Sequence, residues 1–132
     1  MLFRSIKRLM VEFRANTLVE IRLTSTDIDL HDLPEAHAMV LFHICQEALA
    51  NIAKHAKAKN VQIALWSTAE RVLMEISDDG NGFDMEKTNL AIGHGLANMH
   101  TRARIVGGDV EISSVLHEGS TILVWVPRHV RS

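Results

Sequence analysis

Residues 60–82 read NVQIALWSTAERVLMEISDDGNG. Val61, Ile63 and Leu65 alternate with other side chains over Asn60 to Ser67, and Val72, Met74 and Ile76 do so over Arg71 to Asp78. A period of two is the signature of a strand with one face in a core. Only Thr68, Ala69 and Glu70 separate the two runs, which is too short for a crossover and suits an antiparallel pair. Asp78 is in phase with Val72, Met74 and Ile76, so a carboxylate ends the apolar face of the second strand. A carboxylate placed there is costly unless donors meet it. The exocyclic amine of a purine is one suitable donor. Gly80 and Gly82 follow at once, in an Asp-x-Gly-x-Gly turn whose backbone can approach a flat ligand closely.

Upstream lies a long helical pattern. Asp32 is placed to cap it and Pro34 to sit in its first turn, where a missing N–H costs nothing. Ala38, Leu41, Cys45, Ala48 and Ile52 recur at three- and four-residue steps, to about Lys57. Before it, Met1 to Arg14 carries Leu2, Ile6, Leu9, Met10 and Phe13 at helical spacing, Thr17 to Leu23 reads as a strand, and Thr24 to Leu30 as a loop. Downstream, Asp79 to His94 is a loop and about Leu96 to Ile105 a helix stopped by Gly107-Gly108. A hairpin of Asp109 to Val115 and Ser120 to Val126 closes the pattern, with Pro127 as a stop. The order α-β-α-β-β-loop-α-β-β predicts an α+β two-layer sandwich, with a mixed, mostly antiparallel sheet and helices on one face.

At 132 residues the chain suits a single domain, residues 1–132. A formal net charge of −2 offers no general attraction for nucleic acid or an anionic membrane. No apolar run approaches the roughly 20 residues of a spanning helix. The lone Cys45 cannot form an internal disulfide, suits a reducing compartment, and lies in an apolar helical pattern as a small buried hydrophobe.

Three more features carry chemistry. Glu47, Asn51 and Lys54 lie at i, i+4 and i+7, within about 60° of one another on an α-helix. They form a polar stripe of acid, amide and amine beside the apolar one. Gly93-His94-Gly95-Leu96 precedes the second helix, and glycines before a helix N-terminus make a phosphate cradle. Ser120 is in phase with Ile122, Val124 and Val126, where a hydroxyl could stand beside Asp78 and share a ligand. Other nucleotide and metal motifs fail. Asn98 stands where a dinucleotide fingerprint needs its third glycine, no Walker A sequence is present, and the EF-hand glycine and closing glutamate are missing.

Each feature is ordinary alone, but their order and spacing resemble a known family. Gln46-Glu47-Ala48-Leu49-Ala50-Asn51-Ile52-Ala53-Lys54-His55-Ala56 is similar to the N box of histidine kinases, Asp78 to Gly82 to the G1 box, Gly93 to Leu96 to the G2 box, and Gly119-Ser120-Thr121 to the closing Gly-Thr segment. This is the GHKL ATPase superfamily with the Bergerat fold. The short stretch between Gly82 and Gly93 is closest to nitrate-sensor-like (NarX- and DesK-like) kinases. The resemblance covers a motif-bearing core of about residues 38–127, leaving residues 1–30 as an N-terminal helix, strand and loop.

The resemblance implies the catalytic ATP-binding domain of a sensor histidine kinase, with ATP and Mg²⁺ as cofactors. Asn51 would be the direct protein ligand of magnesium, and Glu47 would orient a metal-bound water or act as base. Lys54 would offset phosphate charge. Asp78 would bind the adenine amine, with Gly80 and Gly82 shaping the pocket and Ser120 supporting it. Gly93 and Gly95 would let the lid close, and the helix from Leu96 would present its N–H groups to phosphate. Two departures stand out: Ser120 replaces the usual Thr, and Met99-His100-Thr101-Arg102 replaces Met-Arg-Glu-Arg, so that His100 stands where relatives often have an arginine.

The implied partners are a phosphoacceptor/dimerisation domain of the same parent, a homodimer, and a response regulator downstream. The implied setting is a cytoplasmic domain of a parent that is often anchored in the bacterial membrane, with no direct membrane or nucleic-acid contact by this domain. The phosphoacceptor is not expected here, because His31-Asp32 is followed by Leu33-Pro34, which is wrong for mid-helix. A GHKL protein serine kinase of the anti-sigma-factor type and a non-catalytic nucleotide-sensing module are the alternatives.

Overall fold

A computed structural model describes residues 2–26, 30, 32–80, 93–115 and 117–129, with residues 55, 56, 93–97 and 115 described by backbone only. The elements are α1 (Leu2–Asn16), β1 (Glu20–Thr26), α2 (Glu35–Asn51), a π-helical turn (Ile52–Ala56), β2 (Asn60–Ser67), β3 (Arg71–Asp78), α3 (Gly93–Ile105), β4 (Asp109–Val115) and β5 (Gly119–Pro127). The sheet order is β1-β2-β3-β5-β4. β1 and β2 are parallel and every other pair is antiparallel. The result is the expected mixed, mostly antiparallel sheet in an α+β fold. The parallel pair follows from α2, which carries the chain from the end of one strand back to the start of the next.

Alternation decides the two faces. Ile63, Ile76, Ile122 and Ile112 lie in register across four strands, and Leu65, Met74, Val124 and Val110 form the next row. These rows meet Ile6, Leu9 and Phe13 of α1, Leu41, Ile44 and Ala48 of α2, and Met99 and Ala103 of α3 in one buried core. The opposite face carries Trp66, Leu73 and Trp125 in a single row. The Arg71 guanidinium lies 3.9 Å from the Trp125 ring centroid there. No helix of the described residues is long and apolar enough to cross a membrane.

Several local expectations differ from the structure, β5 among them, which runs from Gly119 to Pro127. β1 begins at Glu20, not Thr17, and runs to Thr26. Thr17 Oγ1 instead donates to the Phe13 carbonyl at 2.8 Å and finishes α1, while the polar stretch Thr24–Thr26 pairs with β2 as an edge strand. Asp32 does not cap α2. The helix starts after Pro34, and the Asp32 carboxylate lies 3.7 Å from Arg128 and 3.6 Å from His129. The helical run to Lys57 is not continuous α-helix, since Ile52–Ala56 is π-helical and Lys57 stops it at φ 50°. α3 begins at Gly93, so the glycines expected before the helix occupy its first turn.

Candidate functional site

Asp78 ends β3 only 8% exposed, in the row Ile21–Val61–Asp78–Ser120. Both carboxylate oxygens are engaged. Oδ1 accepts the Gly80 N–H at 2.9 Å, and Oδ2 accepts the Ser120 hydroxyl in a short hydrogen bond. An ionised carboxylate has about four acceptor positions, so these two donors hold it in place and leave capacity for a ligand. Gly119 makes the approach possible. Its φ is +111°, and a Cβ there would overlap the Asp78 carbonyl oxygen. A shallow recess of about 200 Å³ opens at this end, lined by Asp78, Gly119, Ser120, Ser113 and Glu118.

α2 packs over β3 and β5. Its Ala48 and Leu49 are buried, as is Ile52 at the start of the π turn, which leaves Glu47 and Asn51 half-buried on one flank. Lys54 lies in the π turn and is exposed. A π turn has more residues per revolution than an α-helix, so Lys54 is displaced from the phase that 100° steps give it. Gly93, Gly95 and Leu96 belong to the first four residues of α3, whose N–H groups have no acceptor within the helix. Gly82 lies outside the described residues, as does His31. Among the described residues, no three His, Cys, Asp or Glu side chains gather as a metal site.

Asp79, adjacent to Asp78, escaped sequence reasoning. Its Oδ1 accepts the N–H groups of Lys59 at 2.9 Å and Asn60 at 2.8 Å, and its Oδ2 accepts Asn60 Nδ2 at 2.8 Å. These bonds, led by that of the Asn60 side chain, hold its carboxyl below the usual carboxylate range. His37 is a structural histidine. It is 5% exposed, and its Nδ1 lies 2.6 Å from the Pro127 carbonyl. A carbonyl only accepts, so that nitrogen carries the proton and ties α2 to the end of β5. His100 lies with Nδ1 3.2 Å from Asp109 Oδ1, and Arg104 Nε is 3.4 Å from the same oxygen. His100 therefore joins α3 to β4. The Val110 N–H, then His100 and Arg104, lower the Asp109 carboxyl.

A family model described as "Histidine kinase-, DNA gyrase B-, and HSP90-like ATPase" matches residues 36–130. The chain belongs to this ATPase family. Three curated sensor kinases are similar to this ATPase-family chain. Sensor histidine kinase LiaS of Bacillus subtilis is 35% identical over 119 residues, covering 90% of this chain and 32% of LiaS. Signal transduction histidine-protein kinase/phosphatase UhpB of Salmonella typhimurium is 37% identical over 101 residues, 76% of this chain and 19% of UhpB. Sensor histidine kinase YdfH of B. subtilis is 35% identical over 104 residues, 76% of this chain and 26% of YdfH. The chain thus spans a third or less of the length of these relatives.

Proposed function

We propose that this ATPase-family domain is the catalytic domain of a sensor histidine kinase, which binds Mg-ATP and presents the γ-phosphate to a histidine on a separate phosphoacceptor/dimerisation domain. The observation that carries the reading is the Asp78 carboxylate, buried at the sheet's end, held by Gly80 and Ser120, and retaining acceptor capacity. A group so placed suits the exocyclic amine of adenine. The similarity to full-length sensor kinases supports the acceptor half lying in another domain.

The donor set fits a nucleotide with magnesium. Asn51 offers one neutral amide oxygen, and magnesium takes few protein ligands and keeps waters and phosphate oxygens. Bound Mg-ATP would supply the transferable phosphoryl group. Asn51 would hold the metal, and Glu47, one turn earlier, would orient a water or take the proton of the attacking nucleophile. Lys54 offsets phosphate charge. Gly80 and Gly82 would shape the adenine pocket, and the N–H groups of Gly93, Gly95 and Leu96, at the start of α3, would be available to phosphate. Ser120 keeps Asp78 in its acceptor orientation. Such transfer is mostly positioning and charge stabilisation. A response regulator then receives the phosphoryl group, and the parent is a homodimer whose catalytic domains lie in the cytoplasm.

Asp78→Asn tests the nucleotide half. An asparagine amide can turn its NH₂ toward the adenine amine, donor against donor, so binding of a non-hydrolysable ATP analogue should be lost in a variant that retains its circular dichroism spectrum. Unchanged affinity in that folded variant would remove Asp78 from the site. The transfer half is tested by labelled ATP with and without a purified phosphoacceptor domain of a sensor kinase. Acid-labile, base-stable label should appear on the added domain. Label on this chain in its absence would overturn the reading.

A further inference from the structure

We infer that Asp79 is a positioning residue, which sets the distance between the adenine-binding Asp78 and the phosphate-side residue Lys54. The inference rests on the nucleotide reading above. The chain leaves α2 through the π turn, reverses at Lys57 in the left-handed region, and enters β2 at Asn60. That exit is fastened to β3. Asp79 Oδ1 takes the N–H groups of Lys59 and Asn60, its Oδ2 takes Asn60 Nδ2, and its own N–H donates to the Asn60 carbonyl at 3.2 Å. The Lys59 carbonyl in turn accepts the Glu20 N–H at 3.0 Å. Two consecutive carboxylates thus divide the work. Asp78 turns to Gly80 and Ser120, and Asp79 turns to the segment five residues beyond Lys54.

The logic is one of register. A π turn is geometrically wide and less well bonded than an α-helix, and a residue at positive φ outside glycine is held only by its surroundings. The carboxylate of Asp79 supplies charge-assisted bonds to two successive N–H groups just past that weak point. Without them, α2 is still anchored through Ala48 and Leu49 in the core, and Ile52 holds the start of the π turn. What loosens is the π turn carrying Lys54, and with it the span between the two ends of the ligand. Adenine recognition by Asp78 itself is untouched.

The experiment measures the affinity of this chain for adenosine and for a magnesium-bound, non-hydrolysable ATP analogue, by calorimetry. In Asp79→Ala, adenosine affinity should stay within about twofold, while the analogue should bind about tenfold more weakly, the scale of one lost charge-assisted bond. Asp79→Asn should restore most of the loss, because its amide oxygen accepts both backbone N–H groups and the Asn60 amide can flip to meet its NH₂. Asn60→Ala removes only the side-chain bond, so a smaller loss in the same direction is expected even if Asp79→Ala does not fold. Equal losses for both ligands, or none, would overturn the positioning role while leaving the nucleotide reading intact. A wild-type chain that binds neither ligand would overturn both.

Discussion

Ser120 donates its hydroxyl to the carboxylate of Asp78 from the position directly opposite it across β3 and β5, 42 residues further along the chain. Their pairing comes from sheet register, and Gly119 permits it by bringing its backbone against the Asp78 carbonyl.

Removing the hydroxyl should weaken nucleotide binding with little effect on the fold. In Ser120→Ala we expect an affinity for an ATP analogue lowered about tenfold, as for loss of one hydrogen bond to a charged group. Ser120→Thr keeps the oxygen and should bind within about twofold of wild type. Calorimetry on the three proteins checks it, and equal affinities throughout would show that Asp78 needs no support from β5.

Magnesium should strengthen binding, and Asn51→Ala should abolish most of that gain. Asn51 is half-buried on the flank of α2, and its amide oxygen is a neutral ligand of the kind magnesium accepts. Titrations in magnesium and in EDTA give the ratio directly. The same ratio in wild type and variant would place the metal elsewhere.

Gly119→Ala should destabilise the domain itself. The substitution combines φ of +111° with overlap between the new Cβ and backbone atoms of Asp78 and Asp79, which cannot swing aside as a side-chain end would. The expected cost is about 2–3 kcal/mol, a fall in melting temperature on the order of 6–10 °C. Thermal denaturation followed by circular dichroism measures it, and an unchanged midpoint would mean that β5 can withdraw from β3.

Cys45 should be inert in the folded protein. Burial on the core face of α2 pushes its thiol up to about 12, so the reactive thiolate is scarce near neutral pH. A thiol reagent at pH 8 should modify it only after denaturant is added. Rapid modification of the native chain would show that the core opens readily.

Much of this was legible in the chain alone. Strict alternation in Asn60–Ser67 and Arg71–Asp78 predicted both strands with their observed bounds, because a period of two can bury only one face. Spacing on α2 likewise separated the buried Leu41, Cys45 and Ala48 from the half-buried Glu47 and Asn51. Less legible were the end of α1 and both ends of α2, where periodicity fades and local hydrogen bonds compete. Thr17 finishes α1, Pro34 starts α2 without help from Asp32, and the π turn replaces the last helical turn.

The sequence by itself determined the α+β class, the mixed sheet, the faces of strands and helices, and the order of the motifs, since these follow from periodicities within each element and from the lengths of the links between elements. The tertiary structure alone decided that Asp79 closes on Lys59 and Asn60, that His37 meets Pro127, and that His100 turns to Asp109. The physical reason is distance along the chain. Each of these is a side chain meeting a backbone group or charge supplied by a separate element, and strand order and register, not local pattern, bring the partners within hydrogen-bond reach.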